Sequence, residues 1–179
     1  MSTDLIRVVL ADDHAVVRTG IREFLTEPGT LADVRRVIRA LRPIYLEDLG
    51  LAPALEMLTQ TLSTRAGLAI TFAVEGEVGR LTPERELALY RIVQEALNNV
   101  VKHAPARQAQ VQLHYAATLR VSITDDGRGF IIPERVEALT ELGHFGLVGM
   151  RERAELIGAE LTVQSTPGHG AAIDLHLSR

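Results

Sequence analysis

Glu95, Asn99 and Lys102 stand at i, i+4 and i+7, with His103 directly after them. On a helix this spacing sets the three side chains in one narrow arc. A carboxylate, an amide oxygen and an ammonium in one arc offer ligation to a hard cation and charge to phosphates. The spacing alone fits a solvated polar face equally well. The Asn98-Asn99 pair favours the first reading, because asparagine is a poor mid-helix residue and such a face could as easily hold Glu or Lys.

A second cluster runs Ile123-Thr124-Asp125-Asp126-Gly127-Arg128-Gly129-Phe130. Asp-Gly is a common turn pair, so a plain acidic turn accounts for it. Alternatively, the carboxylate that ends the strand accepts a hydrogen bond from a ligand, and the glycines let that ligand approach the backbone. The third cluster, Gly143-His144-Phe145-Gly146-Leu147-Val148-Gly149-Met150-Arg151, crowds glycines before a helix. It is either a mobile loop or a place where free N–H groups and the helix dipole attract an anion. Pro167-Gly168-His169-Gly170 reads as a tight connection between two strands and needs no functional role.

The elements that must hold these clusters can be read from periodicity. Thr82-Pro83 is a helix start, with an N-cap hydroxyl and proline at the first helical position. The helix is predicted to run to about Lys102, with Leu89, Ile92, Val93, Ala96, Leu97 and Val100 turned to a sheet. Before it, Leu51 to Leu62 reads as helix and Leu68 to Val74 as strand. After it come strands near Ala109–Tyr115 and Leu119–Asp125, joined through Ala116-Ala117-Thr118. A helix from near Leu147 to Gly158 follows, then strands near Glu160–Ser165 and Ala171–Leu177. Helices mixed with neighbouring antiparallel strands favour an α+β layer with helices on one face.

Composition narrows the function classes. The 179 residues carry 19 Lys plus Arg against 23 Asp plus Glu, a formal charge of −4, which lacks the basic excess of a non-specific nucleic-acid binder. There is no cysteine, which excludes disulfides, thiolate metal sites and Cys nucleophiles. No apolar run reaches the roughly 18–20 residues of a membrane span. The first residues lack the basic-then-apolar pattern of an export signal. The expectation is a soluble, cytoplasmic protein.

Taken in order, four motifs resemble the ATP-binding domain of sensor histidine kinases. They are Glu95-x-x-x-Asn99-x-x-Lys102-His103-Ala104, Asp125-x-Gly127-x-Gly129, Gly146-Leu147-x-Gly149-Met150-Arg151-Glu152-Arg153 and Ser165-x-Pro167-Gly168-x-Gly170. This GHKL superfamily also contains gyrase, the heat-shock chaperone ATPases and the mismatch-repair ATPases. Upstream, Leu41-Arg42-Pro43 and Leu46-Glu47-Asp48-Leu49-Gly50-Leu51 resemble the junction of the nitrate-sensor-like subfamily.

The resemblance covers about residues 31–179. It implies the Bergerat ATP-binding fold, an α+β two-layer sandwich whose mixed, mostly antiparallel sheet is covered on one face by helices, here with a short N-terminal strand and helix appended. The implied ligands are ATP and Mg²⁺. The resemblance gives Asn99 the metal, Glu95 a polarising or water-ordering role, and Lys102 and His103 places near the phosphates. It gives Asp125 the adenine amino group, and Gly127 and Gly129 the shape of the adenine pocket. A lid would run from about Phe130 to Phe145, with Gly146, Leu147 and Gly149 as its phosphate-side hinge. The last motif departs from the family in carrying Ala171 where threonine is usual.

The implied activity is phosphoryl donation to a histidine, then signalling to a response regulator. A nucleotide-gated interaction module and a stand-alone ATPase are the alternatives. No acceptor-histidine segment is evident. His14 follows Asp13 and precedes alanine, the wrong order for an acceptor. Residues 1–28, with Ile6-Arg7-Val8-Val9-Leu10-Ala11-Asp12-Asp13-His14, resemble the opening of a receiver domain, but one strand and one helix cannot build its sheet. Residues 29–47 resemble the end of a dimerisation hairpin, and 48–179 the catalytic domain. A helical hairpin across Pro28-Gly29 would make a homodimer possible.

Overall fold

The computed structural model describes residues 43–132 and 145–178. The receiver-like residues 1–28 with their expected strand and helix, most of the expected hairpin end, and most of the expected lid lie outside these residues. Pro43 to Arg179 belong to one compact unit.

In chain order the elements are α1 (Ile44–Leu49), α2 (Leu51–Ala66), β1 (Ala69–Gly76), α3 (Pro83–His103), β2 (Gln108–Tyr115), β3 (Thr118–Asp125), α4 (Phe145–Leu156), β4 (Ala159–Ser165) and β5 (Ala171–Ser178). The strands form one five-stranded sheet in the order β1-β2-β3-β5-β4. Only the β1–β2 pair is parallel, and α3 is its crossover. The expected α+β class, mostly antiparallel with a helical layer, is the observed one.

Strand register follows from strict alternation. Ala109, Val111, Leu113 and Tyr115 of β2 and Leu119, Val121 and Ile123 of β3 are buried, while Gln108, Gln110, Gln112 and His114 between them are exposed. A slip of one residue would put every apolar side chain in water, so the pairing Val111↔Ile123 and Leu113↔Val121 is strongly specified. The other face of the sheet is polar; there Arg120 sends two N–H groups to Asp174 Oδ1, at 3.0 and 2.7 Å.

The site helix α3 is well delimited. Thr82 is extended, its hydroxyl accepts the Arg85 N–H at 3.4 Å, and Pro83 opens the first turn. Glu84 and Glu86 lie in the first turn and Lys102 and His103 in the last, each favourable to the helix dipole. Leu89, Ile92, Val93, Ala96, Leu97 and Val100 are buried as the periodicity predicts. Thr82→Ala should cost about 0.5–1 kcal/mol, the low part of the N-cap range because the bond is long. Urea denaturation followed by circular dichroism checks this.

The first two helices complete the core. Leu46 of α1 and Leu55 of α2 are fully buried in it. Helix α2 continues four residues past the predicted Leu62, to Ala66, and stops where Gly67 turns left-handed and its N–H reaches Ser63 O. Gly50, at φ 87°, separates α1 from α2. Arg80 lies against Gly50, donates to Glu47 O at 3.2 Å, and pairs with Glu86 at 3.0 Å. Glu86 is 1% exposed, a buried carboxylate held by a guanidinium that itself reaches water. Neither α1 nor this ion pair is among the sequence expectations.

Candidate functional site

Where the end of β3, the start of β5, the C-terminal half of α3 and the first turn of α4 meet, they enclose a cavity of about 430 Å³. This is within the usual size of a small-molecule pocket. One wall is apolar, made by Ala96, Val100, Ile123, Val163 and Ile173. Helix α3 brings Glu95, Asn99, Lys102 and His103 to the cavity; Glu95 and Asn99 are half-buried, and Lys102 and His103 also reach solvent. Asp125, Arg128, Gly129 and Phe130 come from the segment after β3, and Gly146 and Leu147 from α4.

Asp125 occupies the end of a central strand, opposite Ala109 of β2 and Ala171 of β5. Its carboxylate accepts the Gly127 N–H at 2.8 Å. Burial pushes its pKa above the ordinary 3.8; hydrogen bonds from the Gly127 and Ala171 N–H groups partly oppose this, and the neighbouring charge of Asp126 adds to it. The adjacent Asp126 is used otherwise. Its Oδ1 accepts the N–H of Arg107 at 2.8 Å and of Gln108 at 2.9 Å, which fastens the start of β2 to the end of β3. The Gln108 hydrogen bond, with that from Arg107, holds its pKa below 3.8. Of the two, only Asp125 lines the cavity.

The glycines differ in what they do. A Cβ on Gly146 would land on Glu95 Oε1 and lie 3.1 Å from Asn99 Nδ2, so α4 meets the polar arc at van der Waals distance. A Cβ on Gly127 would stand 2.5 Å from Ala104 Cβ and 2.7 Å from Asp125 Oδ1. Gly127 therefore holds Asp125 from behind and is not itself in the cavity wall. Gly149 also lies outside the wall, within α4, and a Cβ there would meet only the Arg153 guanidinium. Helix α4 begins at Phe145, two residues before the predicted Leu147. Gly146 and Leu147 are the second and third residues of α4 as described.

The β4–β5 turn does more than connect strands. Gly168 N–H donates to Arg128 O at 2.7 Å, and Ser165 Oγ accepts the Phe130 N–H at 2.9 Å while donating to Gly170 O at 2.8 Å. Gly129, at φ 59°, lies under the Thr166 carbonyl, and Gly170, at φ 75°, lies against the Asp125 carbonyl. The turn therefore supports the whole Asp125–Phe130 segment. Nothing local in the sequence signals this; only the serine and the glycines at 168 and 170 hint at it.

A divalent cation would have few protein ligands here. Among the described residues no cluster of three or more His, Cys, Asp or Glu could hold one. Mg²⁺ suits such a place, since it is commonly bound by one or two side chains with ligand phosphates and water completing its shell. Glu95 and Asn99, side by side at Gly146, fit that need.

With this geometry in view, the likeness to known proteins is specific. Residues 84–179 match the family described as histidine kinase-, DNA gyrase B- and HSP90-like ATPase. The chain belongs to that family. The signal transduction histidine-protein kinase/phosphatase DegS of Brevibacillus brevis is 39% identical over 146 residues, covering 81% of this chain and 36% of that protein. The histidine kinase domain of the Erythrobacter litoralis EL346 blue-light activated histidine kinase superposes with a TM-score of 0.56 at 28% identity, over 72% of this chain and 64% of that one. ShkA, solved in complex with AMPPNP, superposes with a TM-score of 0.59 at 21% identity, over 71% of this chain and 29% of that one, a likeness of fold. This histidine kinase-like ATPase chain spans about a third of the length of the DegS relative it matches. No helix of its described residues is long and apolar enough to cross a membrane.

Proposed function

We propose that this chain is the catalytic part of a two-component histidine kinase, binding Mg-ATP in the cavity and donating the γ-phosphoryl group to a histidine on a separate acceptor segment. The observation that carries the proposal is one cavity in which an apolar slot, the half-buried Asp125 carboxylate and the Glu95–Asn99–Lys102–His103 arc come together. A purine ring suits the slot. Asp125, already holding the Gly127 N–H, keeps acceptor capacity for an exocyclic amine. Gly127 sets the carboxylate and Gly129 shapes the loop beside it.

At the other end, Lys102 and His103, with Gly146 and Leu147 of α4 beside the arc, suit phosphate charge. Gly149 would serve the same hinge. Asn99, with Glu95, would hold Mg²⁺, whose charge would neutralise phosphate oxygens. In the transfer, an acceptor imidazole nitrogen forms a bond to the γ-phosphorus as the bond to the bridging oxygen breaks and ADP leaves. The protein contributes positioning and electrostatics. The named kinase relatives support a response regulator as the downstream partner and an acceptor-histidine domain as the upstream one, and two copies of this chain would pair as a homodimer through the hairpin across Pro28-Gly29. The Leu41–Leu51 junction supports the nitrate-sensor-like subfamily, and Ile6–His14 a receiver-like fragment within residues 1–28. Residues 29–47 would be hairpin end and linker, and 48–179 the catalytic domain, working in the cytoplasm.

Calorimetric titration of the whole chain with a non-hydrolysable ATP analogue, with and without Mg²⁺, is the test. Saturable binding strengthened by Mg²⁺ is expected; no binding by a folded chain overturns the proposal. Glu95 beside Asn99 also suits ordering of a water molecule. Phosphate release from ATP without an acceptor would favour a stand-alone ATPase, and binding with neither transfer nor release a nucleotide-gated interaction module.

A further inference from the structure

We infer that Ser165 is a positioning residue for base recognition: its hydroxyl sets the Asp125–Phe130 segment against the cavity without touching the ligand. The inference rests on the nucleotide-binding reading above and names a residue through which that site is kept in shape. Ser165 is the last residue of β4 and half-buried. Its hydroxyl uses its hydrogen for Gly170 O at 2.8 Å and a lone pair for the Phe130 N–H at 2.9 Å. It therefore joins the start of β5 to the far end of the segment that Asp125 begins.

The turn Thr166–Gly170 holds that segment at two further places. Gly170 meets the Asp125 carbonyl, and Gly168 N–H with the Thr166 carbonyl holds Arg128 and Gly129. Both of these supports are made by backbone and survive any side-chain substitution that the backbone tolerates. At Phe130 a side chain adds a support, the Ser165 hydroxyl. Phe130 and Gly129 line the cavity on the segment that Asp125 begins, and they pack on the β4–β5 turn, whereas the residue against Glu95 and Asn99 is Gly146 of α4. Loss of the hydroxyl should therefore disturb the base end of the site and leave the phosphate end unchanged.

The test uses the full chain and two ligands, adenosine and a non-hydrolysable ATP analogue, each titrated with and without Mg²⁺. Ser165→Ala should weaken both by a similar factor, about 3–10-fold, the value of one neutral hydrogen bond. The factor by which Mg²⁺ strengthens the analogue should match that of the unaltered chain. Ser165→Thr, which keeps the hydroxyl, should restore both affinities. An Ala variant that binds adenosine as the unaltered chain does, a failure of Thr to restore binding, or a lost Mg²⁺ enhancement overturns the inference. If the unaltered chain binds but Ser165→Ala makes no difference, only this inference falls. If the unaltered chain binds neither ligand, the nucleotide-binding reading falls and takes the inference with it.

Discussion

Asp125→Asn is expected to weaken adenine-nucleotide binding by roughly 1–3 kcal/mol, about 5- to 150-fold, with the fold intact. The carboxylate accepts the N–H of Gly127 and has acceptor capacity left for a ligand amine. An amide cannot reproduce this. Whichever way Asn is turned, its NH₂ faces either a backbone N–H or the ligand's amine, and two donors then oppose each other. Calorimetry against an ATP analogue measures the loss, and equal affinity in the two proteins would remove Asp125 from the site.

The same carboxylate gives a pH signature. Recognition of an amine needs the ionised form, so affinity should fall as pH drops through the pKa of Asp125. Since that pKa is raised, the fall should begin above the range of an ordinary aspartate at 3.8. In the Asn variant this component should be absent. Stability of the free protein runs differently. The raised pKa of Asp125 means its ionisation opposes folding, a cost relieved as pH falls through its folded value towards 3.8. The lowered pKa of Asp126 contributes stability that is complete above 3.8 and lost as pH falls below it. Ligand affinity should thus decline at a higher pH than the Asp126 contribution to stability.

Gly129→Ala should be among the most damaging single substitutions near the site, costing about 2–5 kcal/mol. At φ 59° an alanine carries left-handed strain, and its Cβ would be driven into the Thr166 carbonyl, with Gly170 O at 2.8 Å. Those are backbone atoms of the supporting turn and cannot swing aside. Gly168→Ala provides the contrast in the same turn: φ is 86°, yet a Cβ there would find open space. It should cost only the strain, about 1–2 kcal/mol. Urea midpoints of the two variants measure the difference, and similar losses would show that the close approach at Gly129 does not matter.

Much of the architecture was legible because its causes are local. Thr82-Pro83 starts a helix by capping and a fixed φ, and alternation in Gln108–Tyr115 and Thr118–Asp125 defines strands by which face is apolar. The arc Glu95, Asn99 and Lys102 was visible as spacing, although only folding shows that it borders a cavity. What remained hidden depends on distant partners. Ser165 and Phe130 are 35 residues apart in sequence, and a serine before Pro-Gly looks like any turn residue. Ile123, Val163 and Ile173 have the pattern of core strand residues, so nothing separates the cavity wall from the core. Helix α1 has six residues, too few for a helical period to declare itself. Arg80 and Glu86 are one more case: a surface-type charge pair by composition, of which the carboxylate is buried and the guanidinium still reaches water.

The crossover topology has a consequence for how the site comes into being. Helix α3 links two parallel strands, and its polar arc meets residues from β3, β5 and α4 that lie up to Ile173 in the chain. No short stretch contains even half of the pocket. Parallel pairing across a long connection is a slow, non-local step in folding, so the pocket is completed with the sheet and not before it. An unfolded or half-folded chain has nothing for a nucleotide to grip. A ligand held by this cavity therefore binds the native state alone, and at 100 times its Kd it adds about 2.7 kcal/mol to the stability of the entire unit. Occupancy and persistence of the fold are one equilibrium, and a cell's nucleotide level would set how long the chain survives as well as whether its site is filled.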